Sequence, residues 1–247
     1  MALMDEFKKE RQSIKDAPLK KKIEYLWQYY KWHFIGPVII IFVIGIFIHT
    51  SMNAKESYLY AMYFNINTEL LTDNDLSADF LSYVEKDPEE YTVTIDTDYY
   101  MGSEYPQATQ TTYQKLSIFT NTNQLDLLGG PISSMNMCIY DAYLRDLRGV
   151  LTEEELKEYE PYLLYADEAI LNEKMEAEMN SQVYEFDYPD PTKPETMELP
   201  VPIAIDISNC EKTKELYDNP SEMIAIGIAI STLQEEHTRE YLQYLFQ

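Results

Sequence analysis

Cysteine, histidine and positive charge are all scarce in this 247-residue chain, which has two cysteines, three histidines and 19 Lys and Arg against 43 Asp and Glu. Each scarcity removes a class of function. Cys138 and Cys210 form no C-x-x-C pair, so thiol exchange and cysteine zinc sites have no signal. In an oxidising compartment the two could form one disulfide, but a domain of this length buries enough apolar area without a staple, and two buried, unpaired thiols are the favoured expectation. His33, His49 and His237 are far apart, the first two on opposite sides of an apolar run, so neither a metal set nor a triad assembles from them. G-x-S-x-G, the P-loop and the dinucleotide-binding glycine pattern are missing too. With 43 acids any chosen carboxylate pair is uninformative. The expectation is a protein that is not an enzyme and uses no cofactor or metal.

The cations that exist are gathered at one end. Residues 1–33 hold Lys8, Lys9, Arg11, Lys15, Lys20, Lys21, Lys22 and Lys31 against five acids, a net of +3 within a total of −24, which leaves −27 for the rest. A field of that sign repels nucleic acid, anionic lipid and anionic wall polymers. It suits cations, basic peptides or plain solubility, the last being the commonest reason for an acidic surface.

One long apolar run is present, Phe34 to Ile48, with no charge or hydrogen-bonding side chain. Alone it reaches about 22 Å, short of a hydrocarbon core of about 30 Å. Trp27, Tyr29, Tyr30 and Trp32 before it are interface aromatics, and His49 to Met52 extend it by a turn, so residues 32–52 read as a transmembrane helix. Gly36, Pro37 and Gly45 are tolerated in such a helix. The cation asymmetry places the N-terminus in the cytoplasm. A basic segment of thirty-three residues is too long for a signal-peptide n-region, so an uncleaved anchor is expected in the plasma membrane. Lys20, Lys21, Lys22, Trp27, Tyr30 and Trp32 are its membrane-interface residues. The organisation expected is a basic arm (1–31), the span (32–52), a stalk (53–56) and an extracytoplasmic domain (57–247).

Within that domain, strands are expected near 58–64, 91–95, 125–128, 161–165, 201–207 and 223–230, from aromatic and β-branched runs bounded by turn residues. Helices are expected at 76–84, with Thr72 or Asn74 as cap, then near 105–121, 133–145 and 167–180. Capping boxes at Thr152 with Glu155 and at Ser231 with Gln234 mark two more helix starts. Asp73, Asp75, Ser77 and Asp79 mimic a calcium loop, but Ala78 stands at the turn position and Val84 at the twelfth, which excludes it. Strands alternating with helices predict an α/β domain with a mostly parallel sheet and flanking helices. Direct pairing of 201–207 with 223–230 would mark an antiparallel α+β alternative.

The phrases LDLLGGPISSMNMCIYDAYLRDLRGVLTEEELKEYEPYLLYADE, PVPIAIDISNC and MIAIGIAIST, followed by a helix ending YLQYLF, resemble the extracellular solute-binding proteins of ABC importers, with the type 2 periplasmic-binding fold. The stretch KKKIEYLWQYYKWHFIGPVIIIF is similar to that of small membrane proteins of clostridia-like Gram-positive bacteria. The resemblance implies one reduced periplasmic-binding-like lobe, or a lobe with a small second one from 150–200. It also implies binding of a small solute or peptide, with an importer permease as membrane partner. In an open sheet the ligand sits beyond the carboxyl ends of the strands. There Asp96 and Asp98 suit a cation or amine, Tyr99 and Tyr100 suit stacking, and Ser133 and Ser134 at a helix start suit an anionic end. Each has a plain structural use as turn former, packing ring or N-cap. The competing expectation is a structural or assembly subunit of an envelope complex that has lost solute binding. A cleft walled by 96–100 and 129–134 favours the first; ends packed shut by 181–200 favour the second.

Overall fold

The computed structural model describes residues 18–52, 54–66, 76–214, 216–217 and 222–247. It divides into two compact units, Met1–Ala54 and Lys55–Gln247. The expected caps Thr72 and Asn74, the calcium-like Asp73 and Asp75, and the first part of the basic arm lie outside the described residues.

In the first unit α1 (Leu19–Met52) is one continuous helix with Pro37 inside it. Its stretch Lys31–His49 has 19 residues, a mean hydropathy of 2.1 and no buried share. At about 1.5 Å per residue those 19 residues match the hydrocarbon thickness, so this helix is long and apolar enough to cross a membrane. Trp27 and Trp32 are exposed, and Lys31 Nζ stands 5.9 Å from the Trp32 ring. Lys20 is exposed and Lys22 partly so. The side chains of Lys21 and Tyr30 lie outside those described.

The second unit is α/β. Its strands are β1 (Glu56–Phe64), β2 (Tyr91–Tyr99), β3 (Leu127–Pro131), β4 (Leu163–Asp167), β5 (Pro200–Asp206) and β6 (Ile224–Ile228). They form a six-stranded sheet in the order β2-β1-β3-β6-β5-β4. The chain leaves β1 through α2 (Leu76–Tyr83) to β2 and returns through α3 (Pro106–Asn121) to β3. The two crossovers step in opposite directions along the sheet, so right-handed connections put their helices on opposite faces. Accordingly Phe80 of α2 belongs to the core on one face with Tyr58, Tyr63 and Tyr241, and Leu116 of α3 to the core on the other with Met62, Phe64 and Met135. From Tyr58 onward β1 is apolar and buried on both sides, with only Tyr60 half-buried.

The sheet is mixed, which corrects the mostly parallel expectation. β1 runs parallel to β2 and β3, while β3 with β6, β6 with β5 and β5 with β4 are antiparallel. The couple Ile205 with Ile226 and Asp206 with Ala225 is the direct pairing that marks the α+β alternative. The reason lies in the connections. After β4, α6 (Glu168–Met179) runs out along the sheet and the proline-bearing strap that follows brings the chain back, so Asp167 pairs with Pro200 at the same end. Residues 150–200 therefore extend one sheet and form no lobe of their own.

α4 (Ile132–Tyr140) follows β3 directly. α5 (Glu153–Glu158) starts at the expected capping box, with Thr152 and Glu155 bonded in both directions. α7 (Glu211–Lys214) is a single turn. α8 (Glu235–Leu245) does not begin at a box of Ser231 with Gln234: its N-cap Gln234 makes no side-chain cap bond. Ser231 Oγ donates instead to Leu125 O at 3.2 Å, and Thr232 Oγ1 accepts the Gln234 N–H at 3.0 Å. Burial of this turn gave Ser231 a better partner than the helix. Cys138 and Cys210 are free and buried, in the cores on opposite faces of the sheet.

Candidate functional site

The carboxyl ends of the three parallel strands are where the solute-site residues were expected. Asn65 leaves β1 in the left-handed region, φ 57°, which Asn adopts more readily than most residues. Its Nδ2 donates to Met101 O and to Ser134 Oγ, both at 2.8 Å, and its Oδ1 accepts the Met101 N–H at 2.8 Å. Ser134 Oγ donates to Met101 O at 2.7 Å. One asparagine thus joins the ends of β1, β2 and β3, and Ser134 and Met101 are each 1% exposed.

Ser133 is occupied from outside this clasp. Its N–H and Oγ donate to the two carboxylate oxygens of Glu222, each at 3.0 Å, and the Ile132 N–H donates to Met223 O at 2.8 Å. The helix start that suits an anion already holds the protein's own carboxylate. Asp96 Oδ2 accepts from Tyr60 OH at 2.8 Å and its Oδ1 takes the Asp98 N–H at 3.3 Å. Burial, then this bond to Asp96, pushes the Tyr60 phenol above its ordinary range. Tyr99 is half-buried, its phenol also raised by burial, and Tyr100 packs edge-on to Tyr105 at 5.0 Å. Only Asp98 among the six expected ligand residues is exposed without a side-chain bond to a neighbour, on the irregular step where Met62 pairs with Asp96 but Phe64 with Tyr99.

The six therefore do not converge on one cleft. Nor does the 181–200 strap close the strand ends: it packs elsewhere, with Phe186 and Tyr188 at 5.0 and 5.4 Å from the Tyr140 ring and Pro191 O accepting the Tyr165 N–H at 2.9 Å.

A crevice of about 300 Å³ lies at the carboxyl end of β5, with Tyr162, Asp206, Asn209, Glu211 and Phe246 among its walls. Its residues come from three separated segments, so no local pattern announced it. Asp206 Oδ1 is tied to Ser208 N–H and Oγ at 2.9 and 2.5 Å. Burial and the Asp206 charge push the neighbouring Cys210 thiol up to about 11, which leaves it unreactive at neutral pH.

Two buried acids escaped the sequence reading. Asp126 accepts from Tyr60 N–H at 2.9 Å and Thr232 Oγ1 at 2.6 Å, and burial raises its carboxyl above the usual range. Asp167 accepts from the N–H groups of Ala169, Glu198 and Leu199 at 3.1, 2.8 and 3.0 Å. Both spend their oxygens on backbone and hydroxyl donors that hold segments together. His237 stacks on Tyr58 at 3.7 Å, with Nδ1 2.8 Å from Tyr58 O. Among the described residues no three His, Cys, Asp or Glu side chains are grouped to hold a metal ion. No family model, curated protein or solved structure matches this chain.

Proposed function

We propose that this chain is a membrane-anchored, non-catalytic assembly subunit of a cell-envelope complex, its N-terminus cytoplasmic and residues 57–247 extracytoplasmic. One observation carries the reading: the strand ends that a solute would occupy are filled by the protein's own Asn65, Ser134 and Glu222. A group held this way gives up a satisfied hydrogen bond for each one a ligand offers, so little is gained by binding there. The orientation rests on the cations of residues 1–33. A thermal-shift screen of the full chain in detergent, with amino acids, oligopeptides, polyamines, sugars and divalent cations, tests the reading. A ligand at 100 times its dissociation constant adds about 2.7 kcal/mol. The expected result is no shift across the panel, and a saturable rise with any member overturns the reading.

The crevice beside Asp206 favours a second reading, binding of a small solute or peptide in company with an importer permease, as the resemblance to solute-binding proteins implies. Its volume stands at the lower end of ligand clefts. Two carboxylates and two aromatic rings in its walls suit an amine, so polyamines are the members of the panel on which this reading stands.

A further inference from the structure

The two edges of the sheet are treated differently. The β4 edge is covered: Tyr165 donates outward to Pro191 O at 2.9 Å, and the strap that supplies this carbonyl carries several prolines, a common way to blunt an edge. β2, nine residues long, pairs with β1 on one side, and among the described residues no strand pairs with its other side. The direction of its backbone groups follows from the pairing. Glu90 O accepts the Glu56 N–H at 2.8 Å and so faces β1. By the alternation of an extended strand, Val93 and Ile95 turn their N–H and C=O groups to the open side. Beyond Asp96 the register slips by one residue before Tyr99, so the regular edge is Tyr91–Asp96, about 20 Å and the length of an ordinary strand.

From this we infer that the Tyr91–Asp96 edge docks an extended, Lys- or Arg-bearing segment of a partner protein by strand addition. The inference rests on the assembly reading and says where the partner binds. Charge selects the partner. Residues 91–99 contain Asp96 and Asp98 and no cation, and Asp87, Glu89 and Glu90 precede them. Lys55 and Lys86 stand at the amino end of the strand, where Lys55 donates to Pro88 O and Lys86 lies 5.3 Å from the Tyr91 ring. The attraction is therefore concentrated at the Asp96 end. A second copy of this chain is disfavoured as occupant, because two such edges bring acids opposite acids. Main-chain bonds to Val93 and Ile95 supply affinity and the cations supply choice.

Hydrogen exchange of single amides in the full chain, held in detergent, tests this. The probes are a capped heptapeptide alternating Lys with Val and Thr, and its Glu counterpart. Without peptide the Val93 and Ile95 amides exchange fast. With the Lys peptide they slow by about tenfold or more, the Glu peptide leaves them unchanged, and Asp98→Lys at its exposed site weakens the Lys-peptide effect. Ile95→Pro, which removes one outward N–H, abolishes it; the Asp98→Lys variant decides the matter if the proline variant does not fold. Three results overturn the inference: slow exchange before peptide is added, no slowing with the Lys peptide, or equal slowing with the Glu peptide. Slowing that grows with protein concentration alone assigns the edge to a second copy and overturns it as well. The assembly reading is judged by the solute panel and this edge by two amides, so either can fail separately.

Discussion

Asn65 is the residue on which the first half of the domain turns. Its backbone sits in the left-handed region and its amide joins Met101 and Ser134. Asn65→Ala removes three hydrogen bonds, leaves buried groups unpaired and places a less tolerant residue at φ 57°, an expected loss of about 3 kcal/mol. Asn65→Gly keeps the backbone at ease and loses only the clasp, about 2 kcal/mol. Urea unfolding of both variants checks the order, and two midpoints like the wild type sink the clasp. Asn65 was legible as a strand terminator because turn residues bound strands. Its partners were not, since Met101 and Ser134 are 36 and 69 residues away. The same contrast separates the two helix starts. Thr152 and Glu155 reach only each other, whereas Ser231 faced a buried carbonyl over a hundred positions away and took it.

Elements were read well and their directions less so. All six strands and the main helices stand close to where periodicity and turn residues put them, because burial of one face or both is written locally. Strand direction is set by where a connection ends. That depends on the strap after α6, which packs against Tyr140, and on the direct pairing of β5 with β6. For α1 the local record is sufficient to give a helix long and apolar enough to cross a membrane. Protease added to intact protoplasts is expected to remove the domain and leave a protected fragment of about residues 1–33 with the span. A protected domain with a digested arm reverses the proposed orientation.

At the scale of the molecule, tyrosine is the distinctive resource, with 22 in the chain. Tyr63 and Tyr241 are fully buried with their hydroxyls 3.1 Å apart, and Tyr217 donates to Phe64 O at 2.7 Å from a buried position. Burial holds all three phenols well above their ordinary value. A group whose folded pKa is raised stabilises the fold fully below its unfolded pKa, about 10 here, and that stability is lost as pH rises above it. At pH 11 each phenol costs about 1.4 kcal/mol and the three together about 4 kcal/mol, against a typical domain stability of about 5–15 kcal/mol. Alkaline titration is therefore expected to show tyrosinate absorbance from these three rising together with loss of circular dichroism. Complete phenol titration near pH 10 with the fold intact contradicts the burial argument. By itself the sequence determined the apolar helix, the acidic α/β domain and the strand positions, because hydrophobic period, charge and turn chemistry act over a few residues. Only the tertiary structure decided the mixed direction of the sheet, the closure of the strand ends by Asn65, Ser134 and Glu222, and a β2 edge that none of the described strands pairs. Each of these depends on which distant groups meet, and a distant meeting leaves no local pattern.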